Sequence, residues 1–315
     1  MEKFNKISKC RLCFGSSLDV VHNFGHVPLG NNYQMSEKLA AAADAYPLAI
    51  QVCHSCGHFQ LTAAVNPVLL YATNYTYLSG IGSPFVKHLG EVARVSRSLF
   101  GESYKPTALE VGCNDGSLLE RLAAEGFRAS GVDPATLPTG IARAKNLNVF
   151  SEFFNSGFAK SYRSKFGGVD LVIGLNVFAH VDEFIDSLIA AREALVDGGY
   201  LFVEVGYFKS VIEKSLFDTI YHEHLDYHLA EPLAKALNKV GFSVCSFSEN
   251  EVQGGSLRVI ARKDVRGVIE REAGEFLAAE REFFGCSRES HAAYRAGLWT
   301  SRLKEFGNLV LKHKS

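Results

Sequence analysis

One passage restricts the fold more than any other: Leu109-Glu110-Val111-Gly112-Cys113-Asn114-Asp115-Gly116-Ser117-Leu118-Leu119. An apolar strand over 107–111 runs through two glycines into a helix over 117–125, which Gly126 stops. Gly112 and Gly116 let the backbone approach a ligand, and the start of the following helix presents unpaired N–H groups. The alternation then continues with a strand at 129–132, a helical turn at 141–145, a strand at 169–174, a helix at 184–195, the Gly198-Gly199 turn and a strand at 200–205. Strands that alternate with helices become parallel neighbours, because a parallel pair needs a long crossover. The expected class is therefore α/β, a parallel sheet with helices on both faces.

Upstream, Phe85, Val86, Leu89, Val92, Ala93, Val95 and Leu99 recur at helical spacing behind the loop Gly80-Ile81-Gly82-Ser83-Pro84. Downstream, a helix over 231–240 leads to extended segments at 242–247 and 256–262, and the short polar stretch between them predicts an antiparallel hairpin. Two amphipathic helices are expected between 268 and 312, broken near Gly285. The three resulting regions are 1–70, 71–263 and 264–315.

The 315 residues are 47% hydrophobic, ample for a large core, and 33 basic against 34 acidic side chains leave a net charge of −1. That balance argues against a nucleic-acid binder, which needs a basic face, and fits a small-molecule partner. No apolar run approaches the roughly 18 residues of a membrane span. The stretch Met1–Lys9 lacks the apolar middle of a secretory signal, so a cytoplasmic, reducing compartment is expected.

In such a compartment seven cysteines do not form a disulfide framework. Four of them fall in two C-x2-C knuckles, Cys10-Arg-Leu-Cys13 and Cys53-His-Ser-Cys56. Two knuckles complete a tetrahedral shell of four thiolates around zinc, and a closed shell is structural rather than catalytic. His54 and His58 are left on the surface or behind the ligands.

Two further clusters carry polar chemistry. Asp133, in Gly131-Val132-Asp133-Pro134, ends the second strand, where an acidic residue accepts hydrogen bonds from ribose hydroxyls. The run Ile220-Tyr221-His222-Glu223-His224-Leu225-Asp226-Tyr227-His228 holds three of the eleven histidines and has too many polar groups for a core strand or helix. A second zinc site on His224 and His228 and a solvated loop are two readings of it. The preferred one is an acid–base site, since histidine exchanges protons near neutral pH while Glu or Tyr orients it or polarises a carbonyl. Tyr71, Tyr75 and Tyr77, with His180 in Asn176-Val177-Phe178-Ala179-His180, either plug an interface or line a polar pocket.

The glycine loop lacks the middle glycine of a dinucleotide motif. Its pattern Glu110-x-Gly112-x-Asn114-x-Gly116 instead resembles the first motif of class I S-adenosylmethionine-dependent methyltransferases. That resemblance implies S-adenosyl-L-methionine as cofactor, held by Gly112, Asn114, Asp115 and Gly116 at its methionyl part and by Asp133-Pro134 at its ribose, with Asn176 completing the pocket. Across nearly all its length the chain resembles the sugar C-methyltransferases that act on nucleotide-linked deoxysugars. The matching pieces are the paired cysteines, Tyr75-Thr76-Tyr77-Leu78-Ser79, Gly112 to Gly116, Asn176 to His180, Tyr221 to His224, and Gly254-Gly255-Ser256-Leu257-Arg258.

The family implies a zinc-bearing N-terminal module on a methyltransferase core, and methylation at C3 of a thymidine-diphosphate-linked 4-keto deoxysugar. Carried over, His224 is the base, and Tyr221, Glu223, Tyr75 and His180 position substrate or stabilise an enolate. Family members continue for about another hundred residues into a second Rossmann-like domain, whereas this sequence ends at Ser315. The resemblance therefore implies a truncated form or a pocket closed by a partner subunit, and the C-terminal helices either pair with a second copy or cover the sheet. O- or N-methylation of a sugar or other metabolite, and a catalytically silent cofactor-binding zinc module, are the competing readings.

Overall fold

The N-terminal segment, which has no helical or alternating periodicity, folds as antiparallel strands. In a computed structural model that describes residues 3–30, 32, 34–72, 77–284, 297, 300, 301 and 304, it contains β1 (Phe4–Lys6), β2 (Leu18–Pro28), the one-turn helix α1 (Glu37–Ala41), β3 (Ala45–Cys53), β4 (Phe59–Leu61) and β5 (Ala63–Val65). Strands β2, β3 and β4 pair side by side, while β1 pairs with β5. This sheet was not anticipated from the sequence.

Helix α2 (Ser83–Ser98) follows, with proline in its first turn, where a missing N–H costs nothing. It buries His88, Leu89, Val92, Ala93 and Ser96, one stripe of a 3.6-residue repeat. The alternating region then supplies β6 (Thr107–Val111), α3 (Ser117–Ala124), β7 (Arg128–Val132), α4 (Thr136–Ala144), β8 (Val149–Phe150), α5 (Ser156–Phe166), β9 (Val169–Leu175), α6 (Phe184–Ala194) and β10 (Leu195–Gly206). After α7 (Phe208–Lys214) come the two-residue β11 (Asp226–Tyr227), α8 (Ala230–Val240), the hairpin of β12 (Phe242–Asn250) and β13 (Ser256–Lys263), and α9 (Arg271–Phe283).

The central sheet has seven strands in the order β12-β13-β10-β9-β6-β7-β8. Strands β8, β7, β6, β9 and β10 are parallel. The expected hairpin adds β13 antiparallel to β10 and β12 antiparallel to β13. Side chains of β9 alternate between two apolar layers: Leu171 and Ile173 pack with α2 and α3, and Val172 packs on the opposite face. All three are fully buried, each stabilising the sheet by roughly 1.5–3 kcal/mol. Between β6 and β9 the strand order reverses direction, and such a switch point leaves a crevice beyond the carboxyl ends of the strands.

Helix α5 and strand β8 were missed in the sequence, and α9 is the first of the two expected C-terminal helices. Most of the second lies outside the described residues. Among the described residues no helix is long and apolar enough to cross a membrane.

Candidate functional site

A cleft of about 540 Å³ opens at that switch point, within the usual range for small-molecule sites. Gly112, Asn114, Asp133, Pro134 and Asn176, from the ends of β6, β7 and β9, line it. Gly112, Asn114 and Asn176 all hold positive φ (70°, 49° and 55°), the left-handed backbone that turns a strand end sharply. Burial raises the Asp133 pKa, partly opposed by the N–H groups of Ala135 and Asn114, which donate to its two oxygens at 2.8 and 3.0 Å. Each oxygen keeps a second lone pair for a ligand hydroxyl.

Asp115 and Gly116 do not line the cleft. The Asp115 carboxylate turns back into the loop, accepting from Ser117 N–H at 3.2 Å and from Gly80 N–H at 2.9 Å. Asn114 does the same from the cleft side: its Oδ1 accepts from Ser79 N–H at 2.9 Å, and its Nδ2 donates to the Tyr77 carbonyl at 3.0 Å. The glycine loop thereby ties down the segment that carries Tyr77. Gly116 stands at φ 78° before α3, where an added Cβ would lie 2.3 Å from Leu147 Cδ1. A side chain there is barred by both conformation and space.

His180, Tyr221, Glu223 and His224 close the other end of the cleft, with Tyr71 and Tyr77. The fifth expected residue, Tyr75, lies outside the described residues. The imidazole of His224 is oriented from behind: its Nδ1 donates to the Thr219 carbonyl at 2.8 Å. A carbonyl only accepts, so the proton sits on Nδ1 and Nε2 carries the lone pair. Tyr221 Oη lies 3.2 Å from that Nε2, and the His180 ring meets His224 edge to face at 4.9 Å between centroids. Burial lowers the His224 pKa to about 4, and burial, with the neighbouring His224 adding, holds that of His180 well below its ordinary value, so both are neutral at pH 7. Burial, with Glu223 adding, raises the Tyr221 pKa, so the phenol keeps its proton.

The expectation that this run avoids the interior is overturned. His222, Glu223, Asp226, Tyr227 and His228 are all buried, and Asp226–Tyr227 is β11, paired with β4 of the N-terminal sheet. Distant residues satisfy the Asp226 carboxylate, which accepts from His58 and Arg11. Burial alone would raise the Asp226 pKa, but Arg11 and His58 hold it down to about 2. His58, expected at the surface or behind the cysteines, is fully buried, whereas His54 is exposed and hydrogen-bonds Asp19.

The four cysteines converge as expected. Their sulfurs all lie within 4.8 Å of one another, with Cys10–Cys56 and Cys13–Cys53 at 3.6 Å. A tetrahedral zinc with Zn–S bonds of about 2.3 Å separates its sulfurs by about 3.8 Å, so the set fits the ion.

Sequence reasoning missed Gln253, which lines the cleft at φ 51° and hydrogen-bonds the Tyr77 side chain. The double glycine after it was a visible turn signal. It also missed Phe153, Phe154 and Asn155 after β8, where no periodicity marks the strand end.

Two family models match the chain: "Putative zinc binding domain" over residues 10–71 and "Methyltransferase domain" over residues 86–246. The C-methyltransferase NovU of Streptomyces niveus is 30% identical over 277 residues, 87% of this chain and 66% of that protein. A ubiquinone biosynthesis O-methyltransferase of Cronobacter sakazakii is 28% identical over 116 residues, 36% of this chain and 46% of that protein. The chain thus spans less than two thirds of the length of either relative. Among solved structures, the magnesium protoporphyrin IX methyltransferase of Synechocystis aligns at 19% identity and TM-score 0.44, covering 57% of this chain and 84% of that one.

Proposed function

The chain belongs to the methyltransferase-domain family, and from that premise we propose that it is an S-adenosylmethionine-dependent C-methyltransferase acting on a carbon next to a ketone, in a nucleotide-linked keto sugar. The similarity to a C-methyltransferase supports methylation at carbon. The observation that carries the reading is the His224 imidazole, fixed through Nδ1 with its Nε2 lone pair at the cleft that Gly112, Asp133 and Asn176 share.

S-adenosylmethionine, when bound, supplies an electrophilic methyl group. Gly112, Asn114, Asp133 and Asn176 are the residues that would hold it. Asp133 has lone pairs for the ribose hydroxyls. His224 Nε2 takes the proton from the carbon acid, and the electron pair of the broken C–H bond moves onto the adjacent carbonyl oxygen. Tyr221 keeps its phenolic proton, which turns from Nε2 to the substrate and donates to that developing oxyanion, a term worth about 3 kcal/mol at such sites. Glu223 and His180 shape the wall against which the sugar rests, and Tyr75 belongs to the same group by its place in the motif. With the cofactor bound, the enolate carbon would take its methyl group, the S–CH3 bond breaking with its electron pair on sulfur as the C–C bond forms and S-adenosylhomocysteine leaving. The cysteine-bound zinc is structural, and the division at about residue 70 separates its module from the transfer machinery.

The test uses a thymidine-diphosphate-linked 4-keto deoxysugar in deuterated water. The wild type exchanges the C3 proton and places the new methyl on C3 by NMR. His224→Ala loses both by about 10²- to 10⁴-fold. A methyl found on oxygen or nitrogen, or full activity in the variant, overturns the proposal.

A further inference from the structure

Asp226 lies two residues beyond His224 with its side chain fully buried, and Arg11 Nε donates to both of its oxygens, at 2.9 and 3.1 Å. His58 Nε2 donates to the same carboxylate at 2.9 Å. The guanidinium of Arg11 also donates to the Val181 carbonyl, one residue beyond His180. One side chain, only 8% exposed, therefore spans the two segments that bring His180 and His224 together. The segments are joined independently by Leu225 N–H, which donates to the Ala179 carbonyl at 2.9 Å.

The origin of Arg11 is fixed as firmly as its tip. It lies inside the Cys10–Cys13 knuckle, and its own N–H donates to Gln60 Oε1 on β4 at 2.8 Å. A planar guanidinium engages a carboxylate and a carbonyl in set directions at once, whereas a lysine ammonium acts as a single point charge. Neutral imidazoles in a cleft have no charge of their own to hold them in place, so the segments behind them must set their geometry.

We propose that Arg11 is a positioning residue for the base and the wall beside it, holding His224 through Asp226 and His180 through the Val181 carbonyl, so that the cysteine knuckle sets the geometry of the cleft wall. The proposal rests on the reading of His224 as the base. Arg11 touches neither substrate nor cofactor.

The test reads the His224 tautomer in full-length, zinc-loaded protein labelled with 15N-histidine, by long-range proton–nitrogen correlation. Wild type gives one Nδ1–H form. Arg11→Lys retains its zinc, but its His224 signals spread into mixed forms. With the keto sugar above, its kcat falls about 10- to 100-fold while KM and S-adenosylhomocysteine affinity stay within about threefold, and Arg11→Met loses more. An unchanged His224 spectrum in folded Arg11→Lys overturns the proposal. So does failure of both variants to fold with zinc, which assigns Arg11 to stability alone. If the spectrum changes but even the wild type methylates no keto sugar, the positioning role stands and the reading of the reaction falls.

Discussion

The central sheet and the N-terminal sheet, whose edge strand β11 comes from the later part of the chain, are held together in part by different means. In the central sheet stability is spread over many apolar side chains, such as Leu109, Leu171, Val172, Ile173, Leu201 and Phe202, all fully buried. The N-terminal sheet presses Phe59 against Phe208 of the larger unit, with ring centroids 4.6 Å apart. The same end of the N-terminal sheet carries the four sulfurs and the ties to Asp226. The N-terminal sheet also buries Leu48, Ile50, Val52, Phe59 and Leu61 in the core it shares with the larger unit. What sets it apart is the added dependence on four sulfurs, which fails at single residues, whereas a distributed core degrades by increments.

The sharpest break is therefore Cys53→Ser. It removes one of four ligands from a site type whose binding free energy is about 10–16 kcal/mol in isolated fingers. Elemental analysis is expected to show loss of zinc, and proteolysis to cut within residues 10–71 while the methyltransferase domain resists. Retained zinc and unchanged protection would erase the contrast between the regions. Leu171→Ala is the counterpart in the central sheet. It costs about 2–5 kcal/mol, lowering the urea midpoint, with zinc content unchanged.

The seam between the regions carries the pH dependence. His224 and His228 have pKa values pushed by burial to about 4 and about 3. Unfolded, each binds a proton near pH 6.5 that the folded protein refuses, so stability is full above that pH and declines as pH falls toward 4. From pH 6.5 to 4.5 the loss is about 2 kcal/mol for one such histidine. Urea midpoints across this range measure it, and His228→Phe should make the slope shallower. A flat profile would show that the seam does not bury neutral imidazoles.

The smallest effect belongs to Asp133→Asn, which leaves the fold intact and weakens S-adenosylmethionine about tenfold by calorimetry, the size of one hydrogen bond to a charged acceptor. Unchanged affinity would remove Asp133 from the ribose.

Much of the central sheet was legible because burial on both faces forces continuous apolar runs. Strands β6 and β9 emerge within a residue of their expected ends for that reason. Helix α5 was not legible, because only Phe158, Ala159 and Tyr162 of its eleven residues are buried. The cysteine site was legible from spacing alone, since two residues between ligands is a local signal. Strands β2 to β4 were not, because the edge strand that completes their sheet belongs to a distant part of the chain. The cleft residues divide the same way. Gly112, Asp133 and Asn176 follow strand ends that can be counted from sequence, but Asp115 faces away because of Gly80, a contact across 35 positions. The polar run at 220–228 was expected outside the interior because its partners, Arg11 and His58, are invisible to any local pattern.

The pairing of β4 with β11 also bears on the order of events during synthesis. His58 and Asp226 are 168 positions apart, so at about 5–20 residues per second the edge of β4 waits roughly 10–30 s on the ribosome for its partner. Through that interval the cysteine pairs are already made while Asp226, which secures Arg11, does not yet exist. Metal capture can therefore precede docking, and a chain released early would carry a loaded ion beside an open strand edge.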